Sequence, residues 1–168
     1  MDRTAPPSPT IIQPGEARSF WQPLPANGFV ECLLSGSAVG AATPFELGTQ
    51  TVAAGGEVRE HLHPDNDEVI VALVGEGRAL VEGVIHPMTK GTALFLPRGT
   101  AHGFFAAPDQ DLVFMWLIMP GGLESFFESI GRPRARGESP PAPFHRSVSG
   151  TDGSVVSRRR DSRGRSDS

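Results

Sequence analysis

The sequence predicts an all-β protein in which short strands form a sandwich or a barrel. Twenty glycines and sixteen prolines occur among its 168 residues. This composition excludes long helices, because glycine and proline inside a helix cost roughly 1 and 3 kcal/mol each. Short runs of β-type residues, separated by tight turns, follow one another from residue 28 to residue 119. So dense a series of short strands is typical of a sandwich or a barrel.

The predicted strands are rich in β-branched and aromatic residues and are bounded by glycine, proline and polar turn residues. They are residues 28–34, 45–53, 69–74, 77–82, 92–97, 102–106 and 112–119. The segment ARSFWQPLP, residues 17–25, is a candidate edge strand, because Pro23 and Pro25 cannot donate a ladder hydrogen bond. It either packs on its own barrel or is exchanged with a second copy of the chain.

A single helix is predicted over residues 121–131. Its apolar residues recur at i, i+3, i+4 and i+7 and therefore form one stripe. They are Leu123, Phe126, Phe127 and Ile130. Gly131 suits the C-terminal cap, and the helix is expected to pack across the barrel exterior or at the edge of a cavity.

One domain is predicted, since 168 residues are enough for a single buried core. Residues 1–15, with four separated prolines, are predicted to be disordered. Residues 16–131 would form the barrel and its C-terminal helix. Residues 132–168 are rich in proline, serine and arginine, offer few apolar groups to offset ordering entropy, and are predicted to be a disordered tail.

Charge and cysteine content exclude several classes of protein. Residues 1–131 hold six basic and fifteen acidic residues, a balance that argues against a nucleic-acid-binding core. The tail's arginine run lacks interleaved aromatics and is interpreted as a solvated chain end, so no specific nucleic-acid or membrane partner is expected.

Without a signal peptide or a transmembrane run, a cytoplasmic location is expected. Cys32 is the one cysteine, which excludes an intrachain disulfide and a thiolate zinc cluster.

The stretch GGEVREHLHPDNDEV places two histidines one residue apart among acidic residues. If residues 57–63 form a strand, alternate side chains share a face, so Arg59, His61 and His63 project together. Two such imidazoles are a natural pair of metal ligands, and the following turn would return Glu68 alongside as an oxygen ligand. Taken alone, the pair is more often two surface histidines.

The spacing around these residues forms two motifs. In the first motif, five residues separate Gly55 from His61 and one separates His61 from His63. Four residues then separate His63 from Glu68, and six separate Glu68 from Gly75. In the second, five, one and two residues separate Gly91, Pro97, Gly99 and His102. The pattern resembles the cupin superfamily, whose motifs are G(X)5HXH(X)3–4E(X)6G and G(X)5PXG(X)2H(X)3N. The chain departs from it at the last position, where the asparagine is Ala106.

The resemblance implies a double-stranded β-helix, or RmlC-like jelly-roll barrel, that holds one metal ion in its interior. Carried over residue by residue, the metal ligands are His61, His63, Glu68 and His102. Imidazole and carboxylate ligands suit divalent iron, manganese, nickel, cobalt or zinc, and leave positions open for water, substrate or dioxygen. The alternative is a cupin barrel with an empty or sugar-binding cavity.

Several other residues are candidates for the wall of a substrate cavity. Arg59 is expected to share the inward face of His61 and to clamp a carboxylate or enolate, or else to be solvated. The aromatic candidates, which are otherwise core residues, are Phe45, Phe95, Phe104, Phe114 and Trp116. Of these, Phe104 and Trp116 are assigned to substrate binding. His86 matches no ligand position and is predicted to lie on the surface of a hairpin.

Within the superfamily, the chain resembles the small single-domain quercetin-dioxygenase-like proteins, in which the barrel is followed by a segment like PGGLESFF here. This resemblance implies a metal-dependent dioxygenase acting on a small enolic or aromatic compound, with Glu68 as the catalytic base if it leaves the metal. Two other hypotheses stay open: a non-redox isomerase, cyclase or lyase that uses the metal as a Lewis acid, and a binding or sensor module without turnover. Because most cupins pair their barrels edge to edge, a homodimer is expected.

Overall fold

The computed structural model of the protein describes residues 8–146 and 155–157, which form twelve strands and one helix. Strands of the first half are β1 (Arg18–Trp21), β2 (Phe29–Ser35), β3 (Glu46–Val52), β4 (Glu57–Leu62), β5 (Asp67–Val74) and β6 (Gly77–Val81). Those of the second half are β7 (Val84–Met88), β8 (Ala93–Leu96), β9 (His102–Ala106), β10 (Leu112–Met119), β11 (Arg132–Pro133) and β12 (Val156–Ser157). Helix α1 (Leu123–Ile130) follows β10.

The strands form two antiparallel sheets. The larger sheet has the order β11-β1-β2-β3-β10-β5-β8, and the smaller sheet has the order β12-β4-β9-β6-β7. Consecutive strands β3, β4 and β5 alternate between the sheets, as do β8, β9 and β10. The chain therefore winds between two layers, which confirms the predicted jelly-roll fold.

One hydrophobic core fills the space between the two sheets. Alternate residues of a strand face the same side, and in β10 the inward residues are fully buried. They are Leu112, Phe114, Trp116 and Ile118. Ala79 and Phe104 reach the same core from the smaller sheet. Phe95, which was a candidate for the cavity wall, is instead 62% exposed, because it lies on the outward face of the edge strand β8.

The predicted strands agree with the observed ones to within about two residues at each end, as expected of boundaries read from sequence. The segment between the two motifs forms the hairpin of β6 and β7, and His86 is exposed on it as predicted. The candidate edge segment 17–25 contributes β1, which packs on its own chain by pairing with β2. Pro23 and Pro25 lie beyond the end of that strand, where no ladder hydrogen bond is needed.

Helix α1 packs its predicted apolar stripe toward the barrel. Leu123 and Phe127 are buried, and the Phe127 ring lies 5.6 Å from that of Trp116. Arg18 of β1 forms ion pairs with two acidic side chains of the helix, those of Glu124 and Glu128. No helix of the described residues is long and apolar enough to cross a membrane.

Gly131 ends the helix, and its amide donates a hydrogen bond to the carbonyl of Phe127 at 2.9 Å. Its backbone is extended, with φ −98° and ψ −173°, so a left-handed conformation does not require the glycine. The glycine is required because the backbone of β1 passes too close for a side chain. A Cβ at this position would lie 2.7 Å from the carbonyl oxygen of Trp21 and 3.1 Å from the Cβ of Phe20.

The chain continues along the barrel after the helix, beyond the domain boundary predicted at residue 131. Strand β11 pairs with β1. The guanidinium of Arg134 then lies 3.8 Å from the centre of the Phe29 ring and 5.1 Å from that of Trp21. These contacts supply the apolar and cation–π partners that the composition of the tail did not suggest. Disorder was predicted for residues 1–15 and 132–168, and of these, residues 1–7, 147–154 and 158–168 lie outside the described residues.

Cys32 packs against the core from β2. Burial, with smaller contributions from nearby Glu124 and Glu46, raises the pKa of its thiol to about 12. The thiol therefore stays protonated at neutral pH, and it is a weak nucleophile because the thiolate is the reactive form.

We predict that Gly131→Ala destabilises the fold. The new methyl group would press on the Trp21 carbonyl, so the free energy of unfolding should fall by about 1–3 kcal/mol. Urea denaturation measures this change as a lower midpoint. Ser129→Ala, on the exposed face of the same helix, is the matched control and should change stability by less than about 0.5 kcal/mol. Equal stability of the Gly131→Ala protein and the parent would show that α1 and β1 do not lie this close.

Candidate metal centre

Four predicted ligands meet at one end of the barrel, and they come from both sheets. His61 lies near the end of β4, directly opposite His102, the first residue of the adjacent strand β9. His63 follows β4 immediately. Glu68 reaches the same point from β5 in the other sheet. The barrel therefore brings together residues that are up to 41 positions apart in the chain.

The donor atoms of these side chains are close enough to share one ion. Ligand nitrogens of His61, His63 and His102 all lie within 4.8 Å of one another. The Oε2 atom of Glu68 lies 3.0 Å from Nε2 of His102 and 3.6 Å from Nε2 of His63. Three imidazoles and a carboxylate in this arrangement are suited to a divalent transition metal.

Two of the imidazoles are held in the tautomer that a metal requires. Nδ1 of His61 lies 2.8 Å from the carbonyl oxygen of Arg59, and Nδ1 of His102 lies 2.9 Å from that of Thr100. A carbonyl oxygen can only accept a hydrogen bond, so Nδ1 must carry the proton in both rings. Nε2 is then the basic nitrogen, and the hydrogen bond fixes the orientation of the ring.

The environment also keeps the imidazole of His61 neutral. Burial is the main reason that the pKa of His61 lies well below its usual value, and the neighbouring His102 and His63 rings lower it further. His61 therefore carries no proton on Nε2 at neutral pH and can donate its lone pair without first losing a proton.

Buried atoms at the centre fit a metal ion. Glu68 Oε2 and His102 Nε2 are both buried, and within the described part of the chain neither makes a hydrogen bond, even to the other. A buried polar atom without a partner is costly and rare in folded proteins. A metal ion bound between these two atoms would satisfy both, so the residues present fit the metal that the motifs imply.

A β-bulge sets the geometry of this end of β4. Between the paired residues Val58–Phe104 and His61–His102, β4 has one residue more than β9. The extra residue passes over Gly103, where a Cβ would lie only 2.9 Å from the carbonyl oxygen of Val58. Bulges of this kind re-aim side chains next to functional sites.

Because of this bulge, the prediction that Arg59 shares the inward face of His61 is wrong. Strict alternation along the strand would have placed them together, but the extra residue turns Val58 inward and leaves Arg59 exposed. Arg59 still lines the mouth of the cavity described next. Its role in binding a substrate stays a prediction.

A cavity of about 120 Å³ lies between the imidazoles and helix α1. Its wall is mainly aromatic and aliphatic. The residues that form this apolar wall are Val58, Phe104, Phe114, Trp116, Leu123, Phe126, Phe127 and Ile130. Phe104 and Trp116 thus lie where they were predicted to lie, and the stripe of α1 closes one side of the cavity rather than covering the barrel exterior.

Two buried polar residues of the cavity wall were not predicted from the sequence. Gln22 follows β1 and Gln50 lies in β3, and both are buried in the cavity wall. For Gln50 a signal was present, since it occupies an inward position between Gly48 and Val52, where alternation predicts an apolar residue. Gln22 gave no comparable signal, because the strand before it ends at Trp21.

Comparisons with known proteins agree with this architecture. The family model described as "Cupin domain" matches residues 48–118. Protein SchB of Streptomyces halstedii is 31% identical over 94 residues, which are 56% of this chain and 67% of that protein.

Two solved structures share the fold. A predicted oxalate decarboxylase from Thermotoga maritima is 23% identical with a TM-score of 0.57, over 66% of this chain and 99% of that one. The polyketide cyclase RemF from Streptomyces resistomycificus is 20% identical with a TM-score of 0.59, over 79% of this chain and 88% of that one.

We predict that replacing any one ligand weakens metal binding. His61→Ala, His63→Ala and His102→Ala each remove an imidazole donor, and affinity should fall by more than the roughly 10- to 100-fold that the loss of an outer-shell partner costs. Glu68→Gln keeps an oxygen but removes its charge, so binding should weaken without being abolished. Metal content after dialysis, measured by elemental analysis, tests each variant.

The control for these variants is His86→Ala, which removes an exposed histidine outside both motifs and should leave the metal content unchanged. Circular dichroism should show that all the proteins keep their fold, because the apolar core supplies most of the stability. A full equivalent of metal in His102→Ala, or its loss in His86→Ala, would contradict the ligand set.

Proposed function

This chain belongs to the cupin superfamily, and on that premise we propose that it is a metal-dependent enzyme acting on a small enolic or aromatic compound. One observation carries the proposal: His61, His63 and Glu68 of the ligand cluster line a cavity whose wall is otherwise mainly apolar. An apolar pocket with a few convergent polar groups is the usual form of a small-molecule site.

In this proposal, His61, His63, Glu68 and His102 hold one divalent transition metal. The carbonyl oxygens that fix the rings of His61 and His102 keep Nε2 aimed at a common point. When bound, such an ion supplies a Lewis acid and, if it is redox-active, a site for dioxygen. Which of iron, manganese, nickel, cobalt or zinc is the natural metal is set by availability as much as by the ligands.

Glu68 is proposed as the catalytic base in the state in which its carboxylate has left the metal. Its carboxylate is buried beside His63 and His102, so an enol or phenol that enters the cluster brings its hydroxyl within reach of Oε2. Transfer of that proton to Glu68 leaves the more electron-rich enolate or phenolate as the reacting species. The reaction class then depends on what this anion attacks.

The apolar wall positions the rest of the substrate. Phe104 and Trp116 are buried on opposite sheets of the cavity, and flat faces of this kind suit an aromatic or conjugated ring. They also exclude water, which would otherwise solvate the enolate and lower its reactivity. Arg59, at the exposed mouth, is proposed to pair with an anionic substituent that stays near solvent.

Dioxygenation is the first candidate reaction, and it is supported by the resemblance to quercetin-dioxygenase-like proteins. A non-redox reaction is the second. It is favoured by one comparison: RemF, a barrel of the same fold, is a polyketide cyclase. In that case Glu68 would remove a proton and the enolate would attack a carbonyl carbon of the same molecule, so that no dioxygen is consumed.

An oxygen electrode separates these candidates. We predict that protein loaded with iron, manganese, nickel or cobalt consumes one dioxygen per molecule of the flavonol quercetin that disappears. Disappearance without oxygen uptake would support the non-redox reaction, and binding without disappearance would support a sensor. His102→Ala lacks one ligand and should abolish turnover in either enzymatic case. Turnover by His102→Ala at the parent rate would contradict a metal-dependent reaction of any kind.

We also propose that the protein is a homodimer. Exposed apolar residues lie on β7 and β8, which form one edge of each sheet: Val84 is 56% exposed, Ile85 50% and Phe95 62%. Unpaired edges with apolar side chains are sites of pairing between chains. Light scattering at micromolar concentration should give twice the mass of 17.9 kDa, and a monomer mass would refute the proposal. Exchange of the segment 17–25 is not needed, since β1 packs on its own chain.

A further inference from the structure

Two glutamines interrupt the apolar wall of the cavity. Gln22 is 4% exposed and Gln50 is 6% exposed. Both line the cavity, and both occupy inward positions, Gln22 two residues after the buried Phe20 and Gln50 two residues before the buried Val52. On the inward face of β3 the residues on either side of Gln50 are Gly48 and Val52, so Gln50 departs from the alternation that the core otherwise follows.

The side chains of these glutamines have no partner in the described residues. Nε2 of Gln22 is buried without a hydrogen bond. The carboxamide of Gln50 lines the cavity, and among the described residues no hydrogen bond of this side chain is found. If a buried carboxamide only fills space, replacing it by an apolar side chain of the same shape costs little or no stability. A pair of them in a cavity wall instead points to a ligand that completes their hydrogen bonds.

An aromatic path leads from the ligand cluster toward Gln50. The ring of His102 lies 5.7 Å from that of Phe104, which lies 4.8 Å from that of Phe114. Phe114 is the cross-strand partner of Gln50. A molecule that binds the cluster with one oxygen and follows this wall therefore reaches Gln50 with its far end.

We propose that Gln22 and Gln50 bind an oxygen substituent at the end of the substrate remote from the metal. The inference rests on the proposed function and narrows its substrate class. The preferred substrate is a flat, conjugated compound with an enol or phenol oxygen at one end and a hydroxyl or carbonyl oxygen about two ring widths away. Each carboxamide offers a donor and an acceptor, so it pairs with either kind of oxygen.

Two flavonols that differ only at the far end test this inference. They are 3-hydroxyflavone, which has the enolic end alone, and 3,4′-dihydroxyflavone, which adds a hydroxyl on the distal ring. Binding is followed by quenching of tryptophan fluorescence, since Trp116 lines the cavity. The parent protein should bind the dihydroxy compound about three- to tenfold more tightly, the range that a net hydrogen bond produces.

Gln22→Met and Gln50→Met keep the volume of the side chain and remove its polar atoms. Each variant should lose the preference for 3,4′-dihydroxyflavone while binding 3-hydroxyflavone as the parent does. Neither should lower the melting temperature, whereas replacing a glutamine whose side chain hydrogen-bonds within the protein would do so. Gln110→Met, in an exposed turn, is the matched control and should keep the preference.

Equal binding of the two flavonols by the parent protein, failure to bind either, or a preference that survives in both variants would overturn the inference. The same titrations on protein with and without bound zinc separate it from the proposed function. If zinc does not strengthen the binding of either flavonol, the proposed metal-dependent function is contradicted. The difference between the two flavonols, and its loss in the glutamine variants, still decides the role of Gln22 and Gln50.

Discussion

The convergence of three imidazoles and a carboxylate inside an apolar barrel is the constraint on which the rest of the structure depends. Polar and ionisable groups are costly in such a place unless they are paired with each other or with a metal. Two kinds of interaction provide this pairing. The backbone carbonyls of Arg59 and Thr100 accept hydrogen bonds from Nδ1–H of His61 and His102. The Nε2 atom of His102 and the carboxylate of Glu68 face one another across the two sheets. The surrounding aromatic core keeps water out and so makes any ion held there a strong electrophile.

The bulge in β4 shows how local backbone geometry serves that convergence. Without the extra residue, the register that pairs Val58 with Phe104 would place residue 60, not His61, opposite His102. A glycine at position 103 leaves room for the strand to bend, since a side chain there would meet the backbone of β4. A second glycine acts in the same way on the opposite wall: Gly48 lies beneath Trp116, and a Cβ there would lie 2.3 Å from the indole ring. The shape of the cavity therefore depends on glycines that carry no chemistry themselves.

Helix α1 forms one wall of the cavity, and the segment after it packs beside β1. The helix presents its apolar stripe to the cavity and is tied to β1 by Arg18. Gly131 then lets the chain pass close to Trp21, and Arg134 packs on the aromatic rings of Trp21 and Phe29. Changes in this segment alter one wall of the cavity while leaving the ligand cluster in place. Such an arrangement permits the accepted substrate to vary while the chemistry of the metal stays the same.

The sequence by itself determined the all-β fold, most strand positions, the apolar stripe of the helix and the candidate ligands. These features are local: they depend on periodicity, turn residues and the spacing of His61, His63, Glu68 and His102, which can be read along the chain. The tertiary structure alone decided that Arg59 faces out, that Phe95 is exposed, and that Gln22 and Gln50 face the cavity. A bulge shifts every side chain beyond it to the other face, and exposure depends on which strand lies at an edge. Both are properties of pairing between distant segments, and therefore only the folded barrel specifies them.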